Sequence, residues 1–247
     1  MITKAAGGAS RGSSLVAFLP LHGLEPAGEL ATAIARLSLA RSISDIHRAL
    51  EGTRLETLQR LVRAAEYRDD ATSEHTERVA RTTELLARTI GRPEAEVSRL
   101  RLAAPLHDIG KLAVSDALLL KPGALTPDEQ TQMRRHAAAG AAILAGSTSD
   151  VLRMAGEIAL THHEWWDGSG YPAGLKGEAI PLSGRIVAIA DVFDALAHAR
   201  PYKPAWPVDA AVAEIDRLRG RQFDPLVVAA FHSLDPQSLV QPIECRV

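Results

Sequence analysis

With 247 residues, 46% of them hydrophobic and only 4% aromatic, the chain has material for one compact domain and a short extension. A formal net charge of -2 and no concentrated Lys/Arg run exclude a surface built to coat polymeric DNA or RNA, which needs a dense basic face. The single cysteine, Cys245, excludes an internal disulfide framework or a thiolate metal cluster, so a cytoplasmic location is expected.

Residues 1 to 27 are rich in Gly, Ala and Ser and show no sustained period, which predicts a flexible arm. The apolar stretch Leu15 to Leu21 is broken by Pro20 and falls well short of the roughly 20 residues of a spanning helix, so neither a membrane span nor a secretory signal is expected. Leu and Ile at three- and four-residue steps predict helices over Glu29 to Leu39 and Ser44 to Leu50, and a third over Leu55 to Tyr67. These stretches suit a dimerising or regulatory element, which would make a homodimer, and equally a cap on the main domain. The expected organisation is an extension over 1–53, the main domain over 54–235 and a tail over 236–247.

Asp69 to Ser73 is a polar cluster able to cap a helix carrying His75, Val79, Thr82, Leu86 and Ile90, which Gly91 ends. Pro93 suits the first turn of a helix running through Val97, Leu100 and Leu102 toward His107. Thr126-Pro127-Asp128-Glu129 is a capping-box start for the helix that delivers His136, with Gly140 one turn later where another helix is expected to cross closely. Further helices are predicted over Val151 to His163, Ile180 to Ala199, Pro207 to Arg219 and from Asp224-Pro225 to Leu234. Strand patterning is absent, so the fold class is all-α, a helical bundle whose inner faces converge on one site.

That site is announced by His75, His107-Asp108, His136, His162-His163 and Asp191. Imidazole and carboxylate ligands suit iron, manganese, zinc or nickel, whereas an all-oxygen magnesium or calcium site has little use for five histidines. The inventory matches two divalent ions sharing one carboxylate. Isolated histidines are more often core residues with a satisfied hydrogen bond, and His22, His47, His198 and His232 are read that way.

The strings His107-Asp108-Ile109-Gly110-Lys111, His162 to Pro172, Asp191-Val192-Phe193-Asp194-Ala195-Leu196 and Arg200-Pro201-Tyr202-Lys203 closely resemble the HD-GYP domain, a branch of the HD metal-dependent phosphohydrolases. The likeness runs from about Leu55 to Leu234. It implies an HD-type bundle and a phosphodiesterase that opens cyclic di-GMP to linear pGpG, in some members on to GMP. It implies His75, His107, Asp108 and Asp191 around one ion, and His136, His162 and His163 around the other, with Asp108 bridging; such a pair activates water as a nucleophile. Iron or manganese is the expected loading, with zinc or nickel as alternatives. Lys111, one turn after Asp108, is expected to offset phosphate charge or assist the leaving oxygen, its alternative being a surface lysine. Gly168, Gly170, Tyr171 and Pro172 form the loop that the resemblance sets beside substrate and against diguanylate cyclase (GGDEF) partners; a plain structural turn is the competing reading. Arg200 and Lys203 resemble the phosphate-gripping pair, and Trp165 and Trp166 are candidates for a pocket rim.

One departure from the family pattern concerns metal number. Members with three ions carry a glutamate one turn before the first histidine, where this chain has Ala71, and a methyl group cannot ligate. A binuclear site, with cleavage stopping mainly at pGpG, is therefore expected. The functional alternatives are an adaptor that binds the nucleotide or a cyclase without turnover, and an HD phosphohydrolase of another nucleotide.

Overall fold

The computed structural model describes residues 26–66, 74–199 and 204–241; the N-terminal arm, the Asp69 to Ser73 cluster with Ala71, Arg200 and Lys203, and Cys245 lie outside them. Among the described residues all regular elements are helical, with one isolated bridge between Arg219 and Phe223. The chain divides into two compact units, Met1–Gly52 and Thr53–Val247.

The three N-terminal stretches are one helix, α1 (Pro26–Glu66), within which the apolar phase changes. At about 100° per residue, Leu30, Ile34 and Leu37 share one face while Leu39, Ile43, Ile46 and Leu50 lie roughly opposite. The apolar stripe thus switches sides between Leu37 and Leu39, but no proline interrupts the backbone there. All seven side chains are exposed. Gly52 sits inside the helix, a placement that costs only about 1 kcal/mol relative to Ala.

The second unit continues with α2 (Glu74–Thr89) and α3 (Glu94–Ala103), then two 3-10 turns, Ala104–Leu106 and Ile109–Ala113. There follow α4 (Asp116–Leu119), α5 (Pro127–Leu144), α6 (Asp150–Thr161), a 3-10 turn at Gly177–Ala179, and α7 (Leu182–Ala197). The domain closes with α8 (Val208–Arg217), α9 (Pro225–Phe231) and α10 (Pro236–Leu239). Gly91 ends α2 at φ 83°, a left-handed conformation that glycine adopts without a Cβ penalty. Thr126 and Glu129 form the predicted capping box, each side chain accepting from the other's backbone N–H, with Pro127 at the first helical position.

Helix α7 is the axis of the core. Ile186, Val187, Ala188, Ile189, Ala190 and Phe193 are all buried, so apolar side chains surround the helix and it packs against α2, α6, α8 and α9. Phe193 meets Phe231 of α9 edge to face at 5.0 Å between ring centroids. The crossings next to the histidines are closer than side chains permit. A Cβ on Gly110 would lie 1.9 Å from the His136 carbonyl oxygen, and one on Gly184 would lie 2.2 Å from Thr161 Oγ1. Gly140, singled out in the sequence for a close crossing, faces Gly110 from α5.

Candidate metal centre

Separate elements deliver the cluster. His75 lies in the first turn of α2, His136 in α5 and Asp191 in α7, while both adjacent pairs lie outside α-helices. His107 and Asp108 join the two 3-10 turns, and α6 stops at Thr161, so His162 and His163 are not its last residues as the sequence predicts. The difference matters. Neighbours on a regular helix diverge by about 100°, but Asp108 at φ -101°, ψ 9° occupies the bridge region, and the His162 and His163 rings come within 3.9 Å of each other. Leaving the helix lets consecutive ligands face one centre.

Two groups result whose ligand atoms lie within 4.8 Å of one another: His75, His107 and Asp191 in one, and Asp108, His136, His162 and His163 in the other. Asp108 stands between them. Its Oδ1 is 3.3 Å from His136 Nε2 and 3.7 Å from His162 Nε2, while its Oδ2 is 3.5 Å from His107 Nε2. Across the first group, Asp191 Oδ1 is 3.6 Å from His75 Nε2 and 3.8 Å from His107 Nε2.

Backbone carbonyls fix the tautomers. His107 Nδ1 donates to Ala104 O at 2.9 Å, His136 Nδ1 to Met133 O at 2.8 Å and His162 Nδ1 to Ile158 O at 3.0 Å. Each bond leaves Nε2 with its lone pair turned inward. His107 Nε2, His136 Nε2, His162 Nε2 and Asp108 Oδ1 are buried with no hydrogen-bond partner, a costly arrangement unless something coordinates them. Four orphaned acceptors in these two adjoining groups fit divalent cations.

The electrostatics divide the cluster between imidazoles kept neutral by burial and His107, whose extra proton a bound cation would displace. Burial, reinforced by the neighbouring His162, holds His163 well below the usual imidazole range, and burial likewise lowers His136. Burial opposes charge on His107 too, but the Asp108 and Asp191 carboxylates outweigh it and raise its pKa to about 9. Desolvation of Asp108 is outweighed by Lys111 and His107, which hold its carboxyl well below the usual range.

Around the cluster, Lys111 Nζ sits 2.7 Å from Asp108 Oδ2. The Tyr171 ring stacks on His163 at 4.7 Å, with the Arg134 guanidinium over its face at 4.9 Å. Burial, with the Asp108 charge nearby, raises the Tyr171 phenol, so it stays protonated. The loop is built on its own backbone: a Cβ on Gly170 would meet Trp165 N at 2.2 Å, and Tyr171 N–H donates to His163 O at 3.1 Å. Gly168 takes φ 88°, and Pro172 is exposed after a cis peptide bond. Trp165 and Trp166 are half-buried beneath Arg221 and Arg185.

Two carboxylates to which the sequence reading gave no role support the site. Glu164 is buried and accepts the N–H groups of Ala173 at 2.7 Å and Leu175 at 2.9 Å, tying the loop closed. Asp194 is buried and accepts from His75 Nδ1 at 2.6 Å and from Arg78 Nε at 2.6 Å. His198, read as a satisfied core histidine, lies 3.1 Å from the same carboxylate, whereas His232, read the same way, is exposed and pairs with Asp216 at 2.6 Å. No side chain is described for His22 or His47.

Comparison with known proteins gives the same framework. The HD domain family model matches residues 59–227. The chain is 52% identical over 194 residues to the cyclic di-GMP phosphodiesterase response regulator RpfG of Xanthomonas campestris, covering 78% of this chain and 51% of that one. It is 46% identical over 199 residues to a cyclic di-GMP phosphodiesterase of Thermotoga maritima, covering 81% and 54%. A solved cyclic GMP-AMP-specific phosphodiesterase of Vibrio cholerae shares the fold at TM-score 0.53 and 20% identity, over 71% of this chain and 48% of that one. The chain thus spans about half the length of the curated relatives it matches. On its matched length and its motifs, this chain belongs to the HD domain family, in the HD-GYP branch.

Proposed function

We infer that the chain is a metal-dependent phosphodiesterase that opens cyclic di-GMP to linear pGpG. The observation that carries this reading is the set of inward-facing, unpartnered Nε2 and Oδ1 atoms of His107, His136, His162 and Asp108. The names of the 52% and 46% identical relatives supply the substrate class. His75, His107 and Asp191 would hold one ion and His136, His162 and His163 the other, with Asp108, which stands between the two groups, as their shared ligand. Bound divalent ions of this kind supply electrophilic charge and make a nucleophile of water at neutral pH. Iron or manganese is the loading we favour.

The remaining groups receive the substrate. Attack by water in line with the ribose 3'-oxygen forms one P–O bond and breaks another, and a proton ends on the 3'-oxygen. Lys111, within 2.7 Å of the shared carboxylate, brings its ammonium to the phosphate. Tyr171 gives a flat wall and a protonated phenol beside His163, and Gly168, Gly170 and Pro172 fix that wall's position. Arg200 and Lys203 are assigned to the phosphates on the family likeness alone, and the exposed side of the Tyr171 loop to a cyclase domain.

The test is product analysis. Purified protein loaded with Mn2+ or Fe2+ is incubated with cyclic di-GMP or cyclic GMP-AMP, separately and in competition, and linear products are separated by chromatography. Linear pGpG, made faster than the mixed product, is expected. Tight nucleotide association with no linear product would instead make the chain an adaptor. We also assign a homodimer to α1, whose exposed Leu39, Ile43, Ile46 and Leu50 follow the four-three-four spacing of a paired helix. Sedimentation of an Ile43→Glu, Ile46→Glu variant at unchanged mass counts against it.

A further inference from the structure

Three of the buried histidines orient themselves through backbone carbonyls within four residues of their own position, whereas His75 does so through a side chain 119 residues away. Its Nδ1 lies 2.6 Å from Asp194 Oδ2, which leaves Nε2 directed at Asp191. Asp194 is itself held by a fork: Arg78 Nε at 2.6 Å to Oδ1 and Nη2 at 3.1 Å to Oδ2. His198 Nδ1 approaches the same carboxylate at 3.1 Å. Arg78 and His75 lie on one face of α2, three residues apart, and Asp194 lies three residues after Asp191 on α7. A single carboxylate therefore locks α2 to α7 at the level of the first group of ligands.

We propose that Asp194 is the positioning residue of the ion held by His75, His107 and Asp191, acting through His75 and not on the second ion. Donation from Nδ1–H to a carboxylate fixes the ring's tautomer and rotation and makes Nε2 more basic, and loss of such a partner weakens metal affinity by about 10–100-fold. The Arg78 fork holds the Asp194 carboxylate aimed at His75. In the second group His136 and His162 rest instead on the main-chain oxygens of Met133 and Ile158, three and four residues before them.

The inference rests on the metal reading above, and Co2+ titration against a chelator separates the two. The unaltered protein should bind two Co2+; fewer than two overturns the binuclear reading and this inference with it. Asp194→Asn should retain one ion at its original affinity and bind the other about 10–100-fold more weakly. In a His75→Gln background the same substitution should add no further loss, whereas a merely structural ion pair would lower affinity again. Two ions bound normally in Asp194→Asn, or added loss in the double variant, overturns the proposal. If Asp194→Asn loses its helical signal, long-range 1H–15N spectra of the zinc-loaded unaltered chain decide: His75 must show a protonated Nδ1, and a protonated Nε2 overturns it.

Discussion

Gly110→Ala is the most demanding test of how the centre is assembled, because it adds one methyl group and removes no ligand. The added Cβ would lie 1.9 Å from His136 O, 2.4 Å from Gly140 N and 2.9 Å from Gly140 Cα, all backbone atoms with no rotamer to swing away. Restoring a 3.0 Å contact to His136 O requires the Ile109–Ala113 turn and α5 to part by about 1.1 Å. That shift lies between Asp108 and His136, whose atoms are 3.3 Å apart, and exceeds several-fold the roughly 0.2 Å tolerance of a metal–ligand distance. Overpacking of this kind costs about 1–3 kcal/mol; near the upper end, melting falls by about 6–12 °C at roughly 2–4 °C per kcal/mol for a chain of this size. Thermal melting with and without chelator, with ion content by elemental analysis, reads both effects. An unchanged melting point with two ions retained would refute the claim that glycine is needed for backbone contact there.

Replacing Glu164 with Gln exchanges one acceptor oxygen for a donor, so the N–H of Ala173 or Leu175 loses its partner. We expect about 1–3 kcal/mol of destabilisation, faster amide exchange at those two residues and a raised KM; exchange no faster than in the unaltered chain counts against the tie. Asp108→Ala should lose turnover and at least one ion while keeping its helical circular dichroism, and retained turnover would contradict the shared-carboxylate assignment. In the metal-free chain the His107 pKa of about 9 lies above its ordinary value near 6.5. The proton thus contributes stability fully below pH 6.5 that is lost as pH rises through 9. Chelated protein should therefore melt lower at pH 9.5 than at pH 6.5, and ion loading at pH 7 should release protons measurable in buffers of different ionisation enthalpy.

Local chemistry made most of the helices legible. Thr126 to Glu129 announced α5 because a capping box is complete within four residues, and Gly91 ended α2 because a left-handed terminus needs no distant partner. Helix α1 runs on through the gaps after Leu39 and Leu50, where the apolar spacing lapses, because a lapse in pattern carries no helix-ending residue of its own. The candidate ligands were visible as residue types. Their geometry was not, because the 3-10 turn after Asp108 and the end of α6 at Thr161 lie against residues far away in sequence, His136 and Gly140 beside Gly110 and Gly184 beside Thr161.

The same logic explains why Asp194 and Glu164 were overlooked although both lie inside recognised strings. A carboxylate that accepts from His75, 119 positions away, has no spacing to betray it. Glu164 reaches nine and eleven residues along an irregular loop, where no periodicity applies. Ligands recur as pairs because metals demand neighbours, whereas the groups that aim them are set by whatever the fold brings alongside. A seam between helices is thus where this chain gains both: leaving α geometry lets adjacent residues converge, and the packing of α2 on α7 brings Asp194 within reach of His75.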